Sequence, residues 1–248
     1  GVAARDEFHG HAAEQLPATR FTGYESLEGA AKVLAILKAG APADSLAEGE
    51  EGVLVLDETP FYAESGGQAG DAGAVENGDG LFLVGQTSKT AGGVFLHSGV
   101  MQKGLLCTGD TVTAKVDRIG RAATMRNHTA AHLLQAALRR VLGDHVEQAG
   151  QLVTSSRMRF DFTHFSALTG DELRKVEGLV NLWIMEGLQT MVREMPIEEA
   201  RKLGAMALFG EKYGDIVRVV SVGNVSMEFC GGTHVDNTSK LGLFRIVS

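Results

Sequence analysis

Two pairs of metal-type side chains, set roughly a hundred residues apart, constrain this chain most. They are His128 and His132 in His128-Thr129-Ala130-Ala131-His132, and Cys230 and His234 in Cys230-Gly231-Gly232-Thr233-His234. Residues 121 to 142 are rich in Ala, Leu, Met and Arg, all good helix formers, and Gly143 stands where helices often place a left-handed residue. An i, i+4 spacing inside that helix stacks both imidazoles on one face, one turn apart. A single histidine on a helix is usually a satisfied surface or core group, and an HxxxH pair also arises by chance, so the first pair needs partners. The second pair supplies them, because Gly231-Gly232 frees the backbone to turn a thiolate and an imidazole toward one ion. Sulfur with imidazole nitrogen suits tetrahedral Zn²⁺ better than Mg²⁺, Ca²⁺ or Mn²⁺. Such a site ties a helix to a distant turn and belongs in the core of a domain. Four protein ligands would close the sphere, whereas a hydrolytic zinc keeps one position open for water, and the sequence is compatible with either role. Thr129 follows His128 where HExxH peptidases carry their glutamate, which argues against a metallopeptidase.

Around this constellation the texture changes once. From about 30 to 117, runs such as Gly52 to Leu56, Leu81 to Val84, Gly93 to Leu96 and Thr111 to Val116 alternate with Gly, Asp and Asn clusters, the pattern of a small β-barrel. After Asp117 comes the helix just described. A second helix is predicted from Thr169-Gly170-Asp171-Glu172, a capping-box spacing, with Leu173, Val176, Val180, Trp183, Ile184 and Leu188 at helical periodicity before Pro196. Arg157 to Phe162, Val217 to Val222, Ser226 to Phe229 and Leu243 to Val247 read as strands. The expected fold class is α+β, with a small N-terminal β-barrel followed by an α+β, zinc-containing core whose sheet is largely antiparallel. The expected division is 1–20 as a linker or remnant of a preceding domain, 21–120 as the barrel and 121–248 as the zinc domain.

Charge decides less than pattern. The 248 residues carry a net charge of -8, which is poor for general nucleic-acid binding. The arginine groups Arg118, Arg121 and Arg126, Arg139 and Arg140, and Arg157 and Arg159 read as solvated surface, each able at most to make local contacts. With only Cys107 and Cys230 there is no disulfide framework, and Cys107 beside Leu105 and Leu106 reads as a small buried hydrophobe. No apolar run nears the ~20 residues of a membrane-spanning helix, and no signal peptide is evident, so the expected location is cytoplasmic, away from membranes.

Three motifs in order carry a family resemblance: Thr59-Pro60-Phe61-Tyr62-Ala63-Glu64-Ser65-Gly66-Gly67-Gln68 with Gly70-Asp71; Arg126 to Leu134 around the HxxxH pair; and Cys230 to His234. Together they resemble the editing region shared by alanyl-tRNA synthetases and the free-standing AlaX deacylases, and more distantly that of threonyl-tRNA synthetases. Phe21-Thr22-Gly23-Tyr24, with Glu25, Ser26 and Leu27, is similar to the segment before the barrel in the full synthetases, which implies a piece of a longer enzyme. The resemblance implies that one Zn²⁺ is held by His128, His132, Cys230 and His234. It implies that Gln148 lines the pocket and that Glu64, Ser65, Gly66, Gly67 and Gln68 form a substrate-binding loop over it. Gln148, Thr129 and Cys230 are the expected catalytic-site residues. The implied activity is hydrolysis of tRNA(Ala) mischarged with serine or glycine, inside a parent that attaches alanine to tRNA(Ala) with ATP and whose other domains are partners. The alternative is a zinc-stabilised tRNA-binding module without catalysis of its own.

Overall fold

A computed structural model describes residues 15–207 and 213–247. The first 14 residues of the expected linker lie outside the described residues. By its contacts the chain divides into two units, Gly1–Ser65 with Ala69–Arg121, and Gly66–Gln68 with Ala122–Ser248.

Among the described residues the first unit has ten strands: β1 (Arg20–Phe21), β2 (Glu28–Lys38), β3 (Ala41–Ala43), β4 (Ser45–Ala47), β5 (Glu51–Leu56), β6 (Glu58–Thr59), β7 (Gly73–Glu76), β8 (Gly80–Lys89), β9 (Phe95–Cys107) and β10 (Thr111–Val116). Antiparallel pairing runs β10-β7-β8-β9-β5-β2, and β2 pairs back with β10, which closes a six-stranded barrel. Period-two alternation fills it: Leu54 and Leu56 of β5 meet Val33, Ile36, Phe82, Met101 and Val112 inside. Val53 and Val55 point to the other face of β5, onto Leu37, Val94 and Leu96, so the strand reads as a continuous apolar run. Cys107, expected to be buried, is only half-buried, because it ends β9 at a turn where its N–H donates to Asp110 Oδ2 at 2.8 Å.

Two polar groups inside this unit are costly and specific. Arg121, read from the sequence as part of a solvated cluster, is instead buried, its Nε donating to Asp71 Oδ1 and Oδ2 at 3.0 and 2.9 Å. His97 is fully buried, with Nδ1 donating to the Leu54 carbonyl at 2.9 Å and Nε2 accepting from the Thr59 hydroxyl at 2.8 Å. Burial holds its pKa down, from the usual 6.5 to about 4. The unfolded chain therefore binds the proton first as pH falls, so stability is full above pH 6.5 and is lost progressively toward pH 4. This one residue is expected to cost about 3 kcal/mol over that window. Urea unfolding at pH 7 and pH 4.5 should show a shallower loss for His97→Gln than for the native sequence, and equal slopes would contradict the assignment.

The second unit holds most of α1 (Arg118–Leu142), the hairpin β11 (Gln148–Val153) with β12 (Met158–Phe162), α2 (Gly170–Glu186), and the antiparallel sheet β13 (Thr190–Pro196), β14 (Ile216–Val222), β15 (Ser226–Phe229). A short helix α3 (Ile197–Lys202) and a 3₁₀ turn (Thr238–Leu241) complete it. Leu133, Leu134, Ala137 and Leu138 form one stripe of α1 and pack on Val176, Val180, Trp183 and Ile184 of α2. The capping box forms as expected: Thr169 Oγ1 accepts from the Glu172 N–H at 3.2 Å, and the Glu172 carboxylate accepts from the Thr169 N–H at 2.8 Å. Gly187 ends α2 in the left-handed region at φ 64°.

Two sequence expectations are corrected here. Leu188 lies beyond α2, and the stretch before Pro196 is the strand β13, paired along its whole length with β14. Leu243 to Val247 is no strand. Its backbone groups are taken by side chains of α2: Asn181 donates to the Phe244 carbonyl and accepts from its N–H, and Glu177 accepts from the Ile246 N–H at 2.7 Å. Phe244 and Ile246 pack on the helical core while Leu243 stays exposed, so the alternation that resembled a strand reflects docking on a helix.

Candidate metal centre

His128 and His132 project from one face of α1, and β15 runs directly into Cys230, so the folding of each segment delivers its own donor pair. One ligand atom from each of His128, His132, Cys230 and His234 lies within 4.8 Å of all the others. Cys230 Sγ is 3.5 Å from His128 Nε2 and 3.2 Å from His234 Nε2. The edges of a zinc tetrahedron with bonds of ~2.0–2.3 Å are about 3.3–3.8 Å, close to these two sulfur–nitrogen distances, and the donor chemistry suits that ion.

The groups behind the donors fix their orientation. His128 Nδ1 donates to Gln68 Oε1 at 2.7 Å, which leaves Nε2 as the free lone pair. His234 Nδ1 donates to Thr129 Oγ1 at 3.1 Å, and that hydroxyl also accepts from the Val235 N–H at 3.2 Å. Thr129, fully buried, therefore positions His234 and its loop. Gln68 is equally buried: its Oε1 also accepts from the Thr233 N–H, and its Nε2 donates to Thr233 Oγ1, both at 2.9 Å. This one amide ties the helix donor to the Cys-Gly-Gly-Thr-His loop. Arg218 donates to the carbonyls of Cys230 and Gly232, each at 2.8 Å, and stiffens the same loop from β14. Gly232 is obligatory, because a Cβ there would stand 2.0 Å from His128 Cε1.

Electrostatics favour the ligating state at Cys230 and His234. Burial alone would raise the Cys230 thiol, but the adjoining imidazoles of His128, His234 and His132 outweigh it and hold the group well below its usual range, as a thiolate. Burial, with His128 beside it, pushes His234 down to about 3, so it is neutral at pH 7. His132 is opposite: burial opposes its charge, yet the Glu228 carboxylate 3.8 Å away and the Cys230 sulfur raise it to about 9. Its Nδ1 has no hydrogen-bond partner among the described residues.

The same unit holds a cleft of about 270 Å³ lined by Gln135, Arg139, Gln148, Met206, Glu228 and Phe229, among others, of which Glu228 also faces His132. Gln148 thus sits in a cavity of the same unit as the donors, at the start of β11, while Glu64 and Ser65 belong to the first unit and Gly66, Gly67 and Gln68 to the second. Gln135 and Glu228 were not singled out in the sequence. Both had a local signal, since Gln135 is three residues beyond His132 on the same helix face and Glu228 alternates with Cys230 at the end of β15.

The model of the family "tRNA synthetases class II (A)" matches residues 3–119, and that of "Threonyl and Alanyl tRNA synthetase second additional domain" matches residues 217–248, which include Cys230 and His234. The chain is 52% identical over 247 residues to the alanine-tRNA ligase of Methylobacillus flagellatus, covering 100% of this chain and 28% of that protein. The chain belongs to the alanyl-tRNA synthetase family. The alanine-tRNA ligase of Pseudomonas fluorescens is 53% identical over 232 residues, and that of Geobacillus thermodenitrificans 50% over 230 residues, each covering 93% of this chain. The chain spans just over a quarter of the length of these alanyl-tRNA synthetase relatives, at 26 to 28%. Among the described residues no helix is long and apolar enough to cross a membrane.

Proposed function

We propose that this chain proofreads tRNA(Ala), hydrolysing the ester that joins it to wrongly attached serine or glycine, within a longer cytoplasmic ligase that charges tRNA(Ala) with alanine at the expense of ATP. The observation that carries the reading is the cleft whose wall includes Glu228, a side chain that also faces the donor His132. An alanine site rejects glycine and serine poorly, because differences of one methyl or one hydroxyl are worth only about 1–3 kcal/mol in binding, so a second, hydrolytic site is needed.

In this reading His128, His132, Cys230 and His234 hold one Zn²⁺, which when bound fixes the loop and polarises what lies next to it. Gln148 offers hydrogen bonds at the cleft wall to orient the aminoacyl ester, and the apolar faces of Met206 and Phe229 limit the water that reaches it. Glu228, whose carboxyl burial pushes up from its usual range, offers acceptor oxygens to the α-ammonium common to all aminoacyl esters. Thr129 and Gln68 act through the histidines they orient.

A second reading rests on the donor count. Four protein donors satisfy a tetrahedral ion, which favours a zinc that holds the fold of an RNA-binding module over one that activates water. Incubating the chain with Ser-tRNA(Ala), Gly-tRNA(Ala) and Ala-tRNA(Ala) separates the two. Proofreading predicts fast loss of the first two esters and survival of the third. Binding of tRNA with all three esters left intact favours the module.

A further inference from the structure

Gln135 is 6% exposed, and its Oε1 has no hydrogen-bond partner among the described residues. Its Nε2 makes only a long 3.8 Å contact to the Met206 sulfur. Buried amide oxygens are nearly always paired, so an orphan acceptor on a side chain of a cleft wall is open to a donor on a ligand. Both Gln135 and Met206 belong to the cleft wall.

Resting on the proofreading reading, we infer that Gln135 is the specificity-determining residue, with Oε1 accepting a hydrogen bond from the aminoacyl side chain. A seryl hydroxyl donates to it directly. A glycyl group leaves room for a water molecule, which donates in its place. An alanyl methyl fills that space, excludes the water and donates nothing, so the buried acceptor stays unpaired. One acceptor thus takes serine and glycine, which differ from each other more than either differs from alanine, and turns alanine away. An unpaired buried acceptor weakens binding by roughly 10- to 100-fold, which is the size of the discrimination expected from this group.

The test uses the zinc-loaded chain and non-hydrolysable 3′-aminoacylamido-3′-deoxyadenosines carrying serine, glycine or alanine, with dissociation constants measured by calorimetry. The native sequence should bind the seryl and glycyl compounds roughly 10- to 100-fold more tightly than the alanyl one. Gln135→Leu should bring the three together, chiefly by strengthening the alanyl compound, and Gln135→Glu, which keeps an acceptor there, should preserve the order. A native chain that binds all three alike, or binds none, overturns the inference, as does Gln135→Leu weakening all three equally. Ester hydrolysis by the same samples keeps the two claims apart: discrimination in binding with no hydrolysis sinks the proofreading reading alone, and hydrolysis whose selectivity survives Gln135→Leu sinks the role of Gln135 alone.

Discussion

Cys230→Ala is expected to lower zinc affinity by about three orders of magnitude or more, well beyond the 10- to 100-fold that loss of an outer hydrogen-bonding partner costs. The reason is the combination at this position. Cys230 supplies the only sulfur and the only anionic donor of the four, its thiolate form is favoured by three imidazoles, and its Sγ lies 3.2 and 3.5 Å from two of the nitrogens it would share the ion with. Removing it leaves three imidazoles on an α-helix and a loop. Gln68→Leu should fall in the smaller class, since it deletes the acceptor behind His128 while sparing every donor. Competition with a chelator of known affinity measures both variants against the native chain. Equal affinities for Cys230→Ala and the native chain would remove the sulfur from the site.

The largest stability effect is expected in the other unit. Arg121 and Asp71 are 2% and 4% exposed in their side chains, and the guanidinium also donates to the carbonyls of Gly23 at 2.7 Å and Pro60 at 3.0 Å. Asp71 Oδ2 accepts from the Tyr62 N–H at 2.7 Å as well, so the carboxylate is placed by the turn that leads into the Gly-rich segment. Arg121→Met would leave a buried carboxylate without its counter-charge and two carbonyls without donors. Breaking a buried pair in this way costs about 3–5 kcal/mol, whereas replacing both partners by apolar groups can cost far less. Urea unfolding followed by far-UV circular dichroism should show that loss for Arg121→Met, and a change under about 1 kcal/mol would mean that water reaches the pair.

What the sequence disclosed and what it withheld follow from how local each signal is. His128 and His132 were legible because helical periodicity is fixed within one turn, and Ser226 to Phe229 because a short alternating run before Cys230 has few other uses. Arg121 was misread as solvated surface, since its partner Asp71 is fifty residues earlier and charge patterning carries no tertiary information. The strand Glu28–Lys38 is rich in Ala, Leu and Lys, residues of high helix propensity, and becomes a strand only because β5 and β10 pair with its two edges. Leu243 to Val247 alternated like a strand because one side of it packs on α2. Gln68 stood inside a recognisable motif, but its hold on His128 and Thr233 depends on three residues of the chain joining the second unit, which no spacing rule announces.

The most direct measurement is the rate of Ser-tRNA(Ala) hydrolysis by this chain as zinc is withdrawn by a chelator and restored by titration, with circular dichroism recorded at each point. The proposed function predicts that the rate falls with bound zinc and returns fully at one equivalent. A rate that stays unchanged when the ion is gone and the fold is intact would contradict it.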